Sequence, residues 1–510
     1  MAVPRDVRSL ITLLEKKGDL VRVQTEVDPL NFELSALVRH EEDGHNRAIL
    51  FEKVKGYRIP VIANLFGSIG RVACGLGIEP TAEEVERYRR DPHGSLGGFG
   101  GSSLDAYTLS DEDRARTLLV KEKIFGAEEE AGKGRYPVKM VNTAPCKEVV
   151  ITRDIDLPGT LPVPWLCELD GGPFITPAVL VQKDPDTGLL NAGIHRHQVG
   201  GEKYGKKRMG ALLSEHSDGF RIQQKYEAMG KPCEIALCIA PEPVIEIAAS
   251  YFSPGLRVSP PYSEFNSAGA MLGEPLELVR CATVDLAVPI NTEIVIEGFI
   301  PPNERIYEGP MAEYPDFYSR QGPLTFVEVT AITHRRDPIF HTCLSGGSRE
   351  HLVLGALSCI GGERVTLVNV QKLFPTVRDV GIVGGSRRGD LVVSFRKRFE
   401  GEDKLLLYHL MATTTNRYVT IVDEDIEPHD TEQVEWARAT RAGASPDDFH
   451  IFPSTRTFNL DPEQDKDVLA TRVGILATMP FGQKYVRTGP PSGVLERTRS
   501  LYEKEVLKKD

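Results

Sequence analysis

"TPAVLVQKDPDTGLLNAGIHRHQV", residues 176–199, decides how the middle of this chain folds. Its first half is a strand-like run rich in apolar and β-branched residues. "DPDTG" then supplies Pro, Gly and Asp, which favour a turn. Beyond it come Asn191, His195, Arg196 and His197, next to a glycine. Similar short runs surround this one: "EVVITRDI" (148–155), "CEIALCIA" (233–240), "PVIEIAASYF" (243–252) and "TEIVIEGFIPP" (292–302). Gly/Pro turns separate them, and "SEFNSAGAML" (263–272) is the one clear helical insertion. The pattern predicts a β-rich middle domain of barrel type, residues 131–325.

On either side the chain alternates between helix and strand. Near the start, Val7, Leu10, Ile11 and Leu14 share one helical face, Asp6 can cap the helix and Gly18 can end it. "DLVRVQTEVD" (19–28) alternates like a strand, "NFELSALVRHEED" (31–43) is helical, and "RIPVIANLFG" (58–67) reads as a buried strand. This is an N-terminal α/β domain, residues 1–130, with "LGGFGGSSLD" (96–105) as a Gly/Ser-rich connection inside it. After 325, "LTFVEVTAITHR" (324–335), "RVTLVNVQ" (364–371), "LVVSFRKRF" (391–399) and "YVTIVDEDI" (418–426) read as strands among helices such as "TEQVEWARATR" (431–441). That predicts a second α/β domain, residues 326–510, and an α/β, multi-domain fold overall.

Bulk properties agree and narrow the function. A chain of 510 residues, 41% hydrophobic and 26% charged, supports about three domains with large cores. A net charge of −12 argues against a nucleic-acid surface. No uninterrupted apolar run reaches about 18 residues, so no membrane span is expected. The start, "MAVPRDVRSL", lacks a secretory h-region. The eight cysteines form no CxxC pair, which points to a reducing cytoplasm and buried thiols.

Two groups of residues carry chemistry. One comprises Asn191, Glu215, His216 and Glu264, the last in the first turn of the predicted helix. Asn, His and Glu form a hard-to-borderline N/O donor set suited to Mn²⁺ or Mg²⁺. Each residue also has a plain reading: a turn asparagine, a hydrogen-bonded histidine, a carboxylate answering a helix dipole. The spacings alone make no metal signature. The second group is the pair Glu308 and Glu313 in "YEGPMAEYPDF", residues 307–317. Gly309 and Pro310 lie between them, no lysine or arginine does, and Pro310 argues for a turn. Two carboxylates held close cannot both ionise cheaply, so one becomes a general acid near neutral pH. Two solvated acids on a rim loop remain the ordinary alternative. "VDEDIEPHD" (422–430) reads as a loop into a helix capped near Asp430, and "GIVGGSRRGD" (381–390) contains no nucleotide fingerprint.

The order and spacing of "GGPFITPAVLVQKDPDTGLLNAGIHR", "LELVRCATVDLAVPINTEIVIEGFI", "YEGPMAEYPDFY" and "VTIVDEDIEPHDTEQVEWARATR" resemble the UbiD family of decarboxylases that use prenylated FMN, over roughly residues 5–490. The resemblance implies an N-terminal α/β domain, a split β-barrel that binds the flavin, and a C-terminal α/β domain used in dimerisation. It implies a catalytic Arg196, Glu308 and Glu313, and metal ligands Asn191, His216 and Glu264 holding Mn²⁺ against the cofactor phosphate, with K⁺ close by. Thr176, Ile194, Glu215, Ser250, Tyr251 and Arg417 fall at cofactor-contacting positions. The loop after Tyr251 looks longer than in the ferulic acid decarboxylase branch, and Arg417 stands near where the family often carries a lysine.

In that family the flavin bonds covalently to the substrate carbon bearing the carboxylate, CO₂ leaves, and a glutamate, here Glu313, returns a proton. A flavin prenyltransferase supplies the cofactor, and small aromatic or heteroaromatic acids are the substrates. High bicarbonate can reverse such reactions. "HLMATTTNRY" (409–418) is expected to line the substrate pocket. Two rivals remain: an accessory subunit of a larger carboxylase complex, and a plain-FMN reductase on a similar barrel.

Overall fold

The computed structural model describes residues 1–90, 110–215, 217–251, 263–383, 386–387, 389–443, 445–458, 460–464, 467–483, 488–490 and 492–505. The Gly/Ser-rich stretch 96–105, His216 and the loop after Tyr251 lie outside the described residues.

The first helix, Val7–Lys16, buries Val7, Leu10, Ile11 and Leu14 as its spacing predicts, and Asp6 accepts the Ser9 N–H at 2.8 Å. It packs beside a four-stranded sheet of Leu20–Val23, Ala48–Phe51, Val61–Ala63 and Phe340–Thr342. The last strand arrives from far along the chain and pairs parallel with Val61–Ala63. The N-terminal unit is therefore completed by residues beyond the middle domain.

The middle sheet has eight strands. Its path runs Ile306–Glu308, Gly322–His334, Ile294–Ile300, Cys233–Ile239, Phe174–Lys183, Leu190–Gln198, with Val149–Ile151 and Arg208–Ala211 added along Gly322–His334. Every pairing in it is antiparallel. The opening stretch forms the hairpin Phe174–Lys183 and Leu190–Gln198, paired from Lys183 opposite Leu190 to Phe174 opposite Gln198 with a register shift between Ile175 and Ala178. The C-terminal unit is a five-stranded sheet in the order Val377–Ile382, Asp390–Phe395, Tyr418–Asp423, Leu469–Ala477, Phe449–Arg456. Helix Thr431–Arg441 packs on it, and Asp430 caps that helix through the Gln433 N–H.

Three strand expectations change. "PVIEIAASYF" is the helix Pro243–Ser250, and "RVTLVNVQ" is the end of the helix Arg349–Gln371. In the first helix all but Ala249 is buried. A continuous apolar run cannot distinguish a buried strand from a buried helix, and Pro243 fits a first helical turn. "LTFVEVTAITHR" lies in Gly322–His334, part of the middle sheet rather than the C-terminal one. Helix Arg349–Gln371 is long and apolar enough to cross a membrane, yet 56% of that window is buried inside the protein and it carries the buried Glu350 and Glu363. It is a core helix. All eight cysteines are free thiols, six of them buried.

Candidate active site

The second strand of the hairpin presents Arg196 and Gln198 toward the end of Ile306–Glu308, while His195 and His197 turn to the other side. His195 and His197 lie at hydrogen-bonding distance through Nδ1 from the carbonyls of Leu212 (3.1 Å) and Gly210 (2.8 Å). Burial pushes their pKa values down to about 4 and about 3, so both are neutral packing groups. Between them Arg196 is charged and buried among carboxylates. Its Nε donates to Glu308 Oε1 at 3.0 Å, and its Nη1 donates to Glu313 and, at 3.1 Å, to Ser319 Oγ. The ring of Phe174 lies under the guanidinium, 5.9 Å from Cζ to centroid.

The two glutamates differ in environment. Glu308 is wholly buried and Glu313 is 8% exposed. Burial raises the Glu308 pKa, with Arg196 opposing, and its Oε2 has no hydrogen-bond partner. That oxygen faces Gly210, where an added Cβ would stand 2.3 Å away. The sequence argument expected one carboxylate to raise the other; the rise at Glu308, the deeper of the pair, comes from burial instead.

The loop between them is held at nearly every backbone group. Gly309 N–H reaches Gln198 Oε1 (3.1 Å), Met311 N–H reaches Ser319 Oγ (3.1 Å), Ala312 N–H reaches Asp170 Oδ1 (2.8 Å) and Glu313 N–H reaches the Phe317 carbonyl (2.8 Å). Pro310, which has no N–H, offers its carbonyl to Gly171 N–H at 2.7 Å. Gly171, Gln198, Ser319 and Asp170 thus fix the spacing of the two acids, and sequence reading missed all four. The only signal was the tight "DGG" beside the strand.

Two of the three proposed metal ligands, Asn191 and Glu264, lie close together in the fold. Glu264 opens the helix Glu264–Leu272, is 3% exposed, and accepts the Ala192 N–H at 3.0 Å, one residue from the buried Asn191. His216 lies outside the described residues. The cofactor positions divide. Thr176 is buried and donates through Oγ1 to the Cys343 carbonyl at 2.6 Å, and Ile194 sits opposite Val179. Ser250 donates to the Glu246 carbonyl at 2.7 Å, while Tyr251 packs on Phe125 and reaches Glu128. Glu215 is exposed and paired with Arg456, away from Glu264 in its bonding. Arg417 pairs with Asp461 at 2.6 Å and, with Tyr418, lines a cavity of about 490 Å³ that also touches Pro315 and Phe317, just after Glu313. Of "HLMATTTNRY", Arg417 and Tyr418 line this cavity.

Three family models match in sequence along the chain: the 3-octaprenyl-4-hydroxybenzoate carboxy-lyase N-terminal domain (residues 11–89), its Rift-related domain (139–348) and its C-terminal domain (359–477). The chain belongs to the UbiD family. UbiD-class relatives share the whole architecture. The enzyme HmfF from Pelotomaculum thermopropionicum, solved with FMN, is 34% identical, covers 97% of this chain and 99% of its own, and superposes with a TM-score of 0.74. An evolved dimeric form of HmfF, solved with prFMN, is also 34% identical, covering 98% of this chain and 100% of its own with a TM-score of 0.70. The vanillic acid decarboxylase of Sedimentibacter hydroxybenzoicus, in its closed form, is 28% identical over 100% of both chains, with a TM-score of 0.80. As a UbiD member this chain is a carboxy-lyase.

Proposed function

We propose that the chain catalyses the non-oxidative, reversible decarboxylation of an aromatic, heteroaromatic or α,β-unsaturated carboxylic acid, with prenylated FMN, Mn²⁺ and K⁺ as cofactors. The observation that carries this reading is Arg196 buried between Glu308 and Glu313. HmfF was solved with FMN and with prFMN, which supports the flavin. The residues present fit a metal-bound phosphate: the buried Glu264 carboxylate and Asn191 carboxamide are hard oxygen donors, and His216 adds an imidazole. Thr176, Ile194, Ser250, Tyr251 and Arg417 complete the cofactor wall in this reading.

When bound, the prenylated flavin supplies an electron sink at the substrate carbon that bears the carboxylate. The remaining work falls to side chains. Arg196 presents a planar fork that clamps a carboxylate and holds Glu308 in place. As the C–C bond breaks, its electron pair stays on carbon and CO₂ departs. Glu313 gives its proton to that carbon, and the small exposure of Glu313 lets solvent restore it. Glu308, sealed and raised in pKa by burial, anchors the guanidinium of Arg196 from the inner side, so that Arg196 and Glu313 keep their places. High bicarbonate drives the same steps backward.

A flavin prenyltransferase is the cofactor supplier, and a homodimer through the C-terminal domain is the assembly. The edge strand Phe449–Arg456 exposes Phe449 and Ile451 and favours such pairing. Free thiols suit a reducing cytoplasm. The test is expression with and without a flavin prenyltransferase, followed by native mass spectrometry and a screen for CO₂ release from vanillate and furan-2-carboxylate. Bound prenylated FMN plus Mn²⁺, seen only with the prenyltransferase, supports the assignment. Plain FMN or nothing under both conditions turns the reading toward a reductase or an accessory subunit.

A further inference from the structure

Asp170, in "CELDGGP" (167–173), is a carboxylate only 3% exposed that takes no part in the steps above. Its Oδ2 accepts the Cys167 N–H at 2.9 Å, closing a turn in which Asp170 N–H also reaches the Cys167 carbonyl at 3.0 Å. Its Oδ1 accepts the Ala312 N–H at 2.8 Å, across 142 residues of chain. No cation among the described residues is hydrogen-bonded to it. A buried carboxylate facing two N–H donors is satisfied only as an acceptor at both oxygens, and an asparagine there would set one N–H against another.

We infer that Asp170 is a positioning residue: by holding the Ala312 amide it fixes the next residue, Glu313, against Arg196. This rests on the reading of Glu313 as the acid that acts on the substrate. The Glu313 amide itself is bonded only within its own turn, to Phe317. The loop's backbone and side-chain ties to the scaffold include Ala312 to Asp170, the Pro310 carbonyl to the Gly171 N–H at 2.7 Å, and Asp316 to the Gly347 N–H at 3.0 Å and to Arg387 at 3.2 Å. Among the backbone ties, the one held by Asp170 lies nearest to Glu313 in the chain. Burial lifts its pKa to about 6, and the field of Arg196 acts against that shift. The side chains near it also include Cys167 and Tyr318.

Asp170→Asn and Asp170→Ala test the assignment. Each folded variant is treated with a carbodiimide and glycine ethyl ester, and labelling of Glu313 and Glu308 is read by mass spectrometry. Prenylated-FMN content, kcat and KM are measured on the holoenzyme with the acid that releases CO₂. Glu313 labelling should rise about tenfold in the alanine variant, the equivalent of one lost charge-assisted hydrogen bond. The rise should be smaller with asparagine. Glu308 labelling, cofactor content and KM should hold while kcat falls. Wild-type labelling of Glu313 together with wild-type kcat overturns the inference. Failure of both variants to fold also overturns it and makes Asp170 a stability residue. Retained turnover in Glu313→Gln would instead remove the acid role of Glu313 and leave the labelling result standing, so the two failures are distinguishable.

Discussion

Gly171 lies so close to Gly309 that a Cβ on it would stand 2.2 Å from the Gly309 carbonyl oxygen and 2.9 Å from Gln198 Nε2. The segment before the hairpin and the loop carrying Glu308 and Glu313 therefore meet backbone to backbone. No rotamer change relieves such a clash, because the nearest atoms are main chain. Gly171→Ala should displace the Glu308–Glu313 loop, lower stability by about 1–3 kcal/mol and reduce turnover. Thermal melting beside a decarboxylation assay checks this. Unchanged values in both would mean that the loop tolerates a shift.

Glu313→Gln should lower turnover by about 10²–10⁴-fold while prenylated FMN stays bound. Arg196→Lys should also be severe, since an ammonium cannot bridge two carboxylates as a planar fork does. Steady-state CO₂ release and native mass spectra of each variant decide the matter. Normal turnover in Glu313→Gln removes the proton-donor role.

Asn191→Ala and Glu264→Ala should each lose Mn²⁺ and the flavin together. Glu264→Ala also leaves the Ala192 N–H without its acceptor, so it should be the less stable of the two. Metal analysis and flavin absorption of the purified variants provide the check. Full loading of both variants would place the metal elsewhere.

His341, wholly buried, sits between Glu246 (3.2 Å) and Glu350 (3.1 Å). Burial alone would lower its pKa, but the two carboxylates outweigh it and hold the imidazolium well above the ordinary value. A raised histidine gives stability that is complete below its unfolded pKa of about 6.5 and is lost as pH rises through the folded one. The melting temperature should therefore fall between about pH 7 and pH 10, and His341→Gln should flatten that slope. An equal slope in both proteins would show that other groups govern the alkaline limb.

Much of this was legible in the residues. The face Val7, Leu10, Ile11 and Leu14, the caps Asp6 and Asp430, and the hairpin at 176–199 depend on neighbours within a few positions, where spacing and side-chain chemistry act directly. Motif order was enough to reach the family and to nominate Arg196, Glu308 and Glu313. Position by position the cofactor wall was less legible: Glu215 carries the right charge but bonds to Arg456. "PVIEIAASYF" reads as a strand because β-branched residues favour one in isolation, whereas full burial in a packed interior overrides so weak a preference.

The sequence by itself therefore determined the local elements and the family, and it nominated Arg196, Glu308 and Glu313. Only the tertiary structure decided which carboxylate lies deeper, that Asp170, Gln198 and Ser319 hold the loop, and that Phe340–Thr342 completes the N-terminal sheet. Most of these contacts join groups brought together from more than a hundred residues away, and no local pattern encodes that proximity.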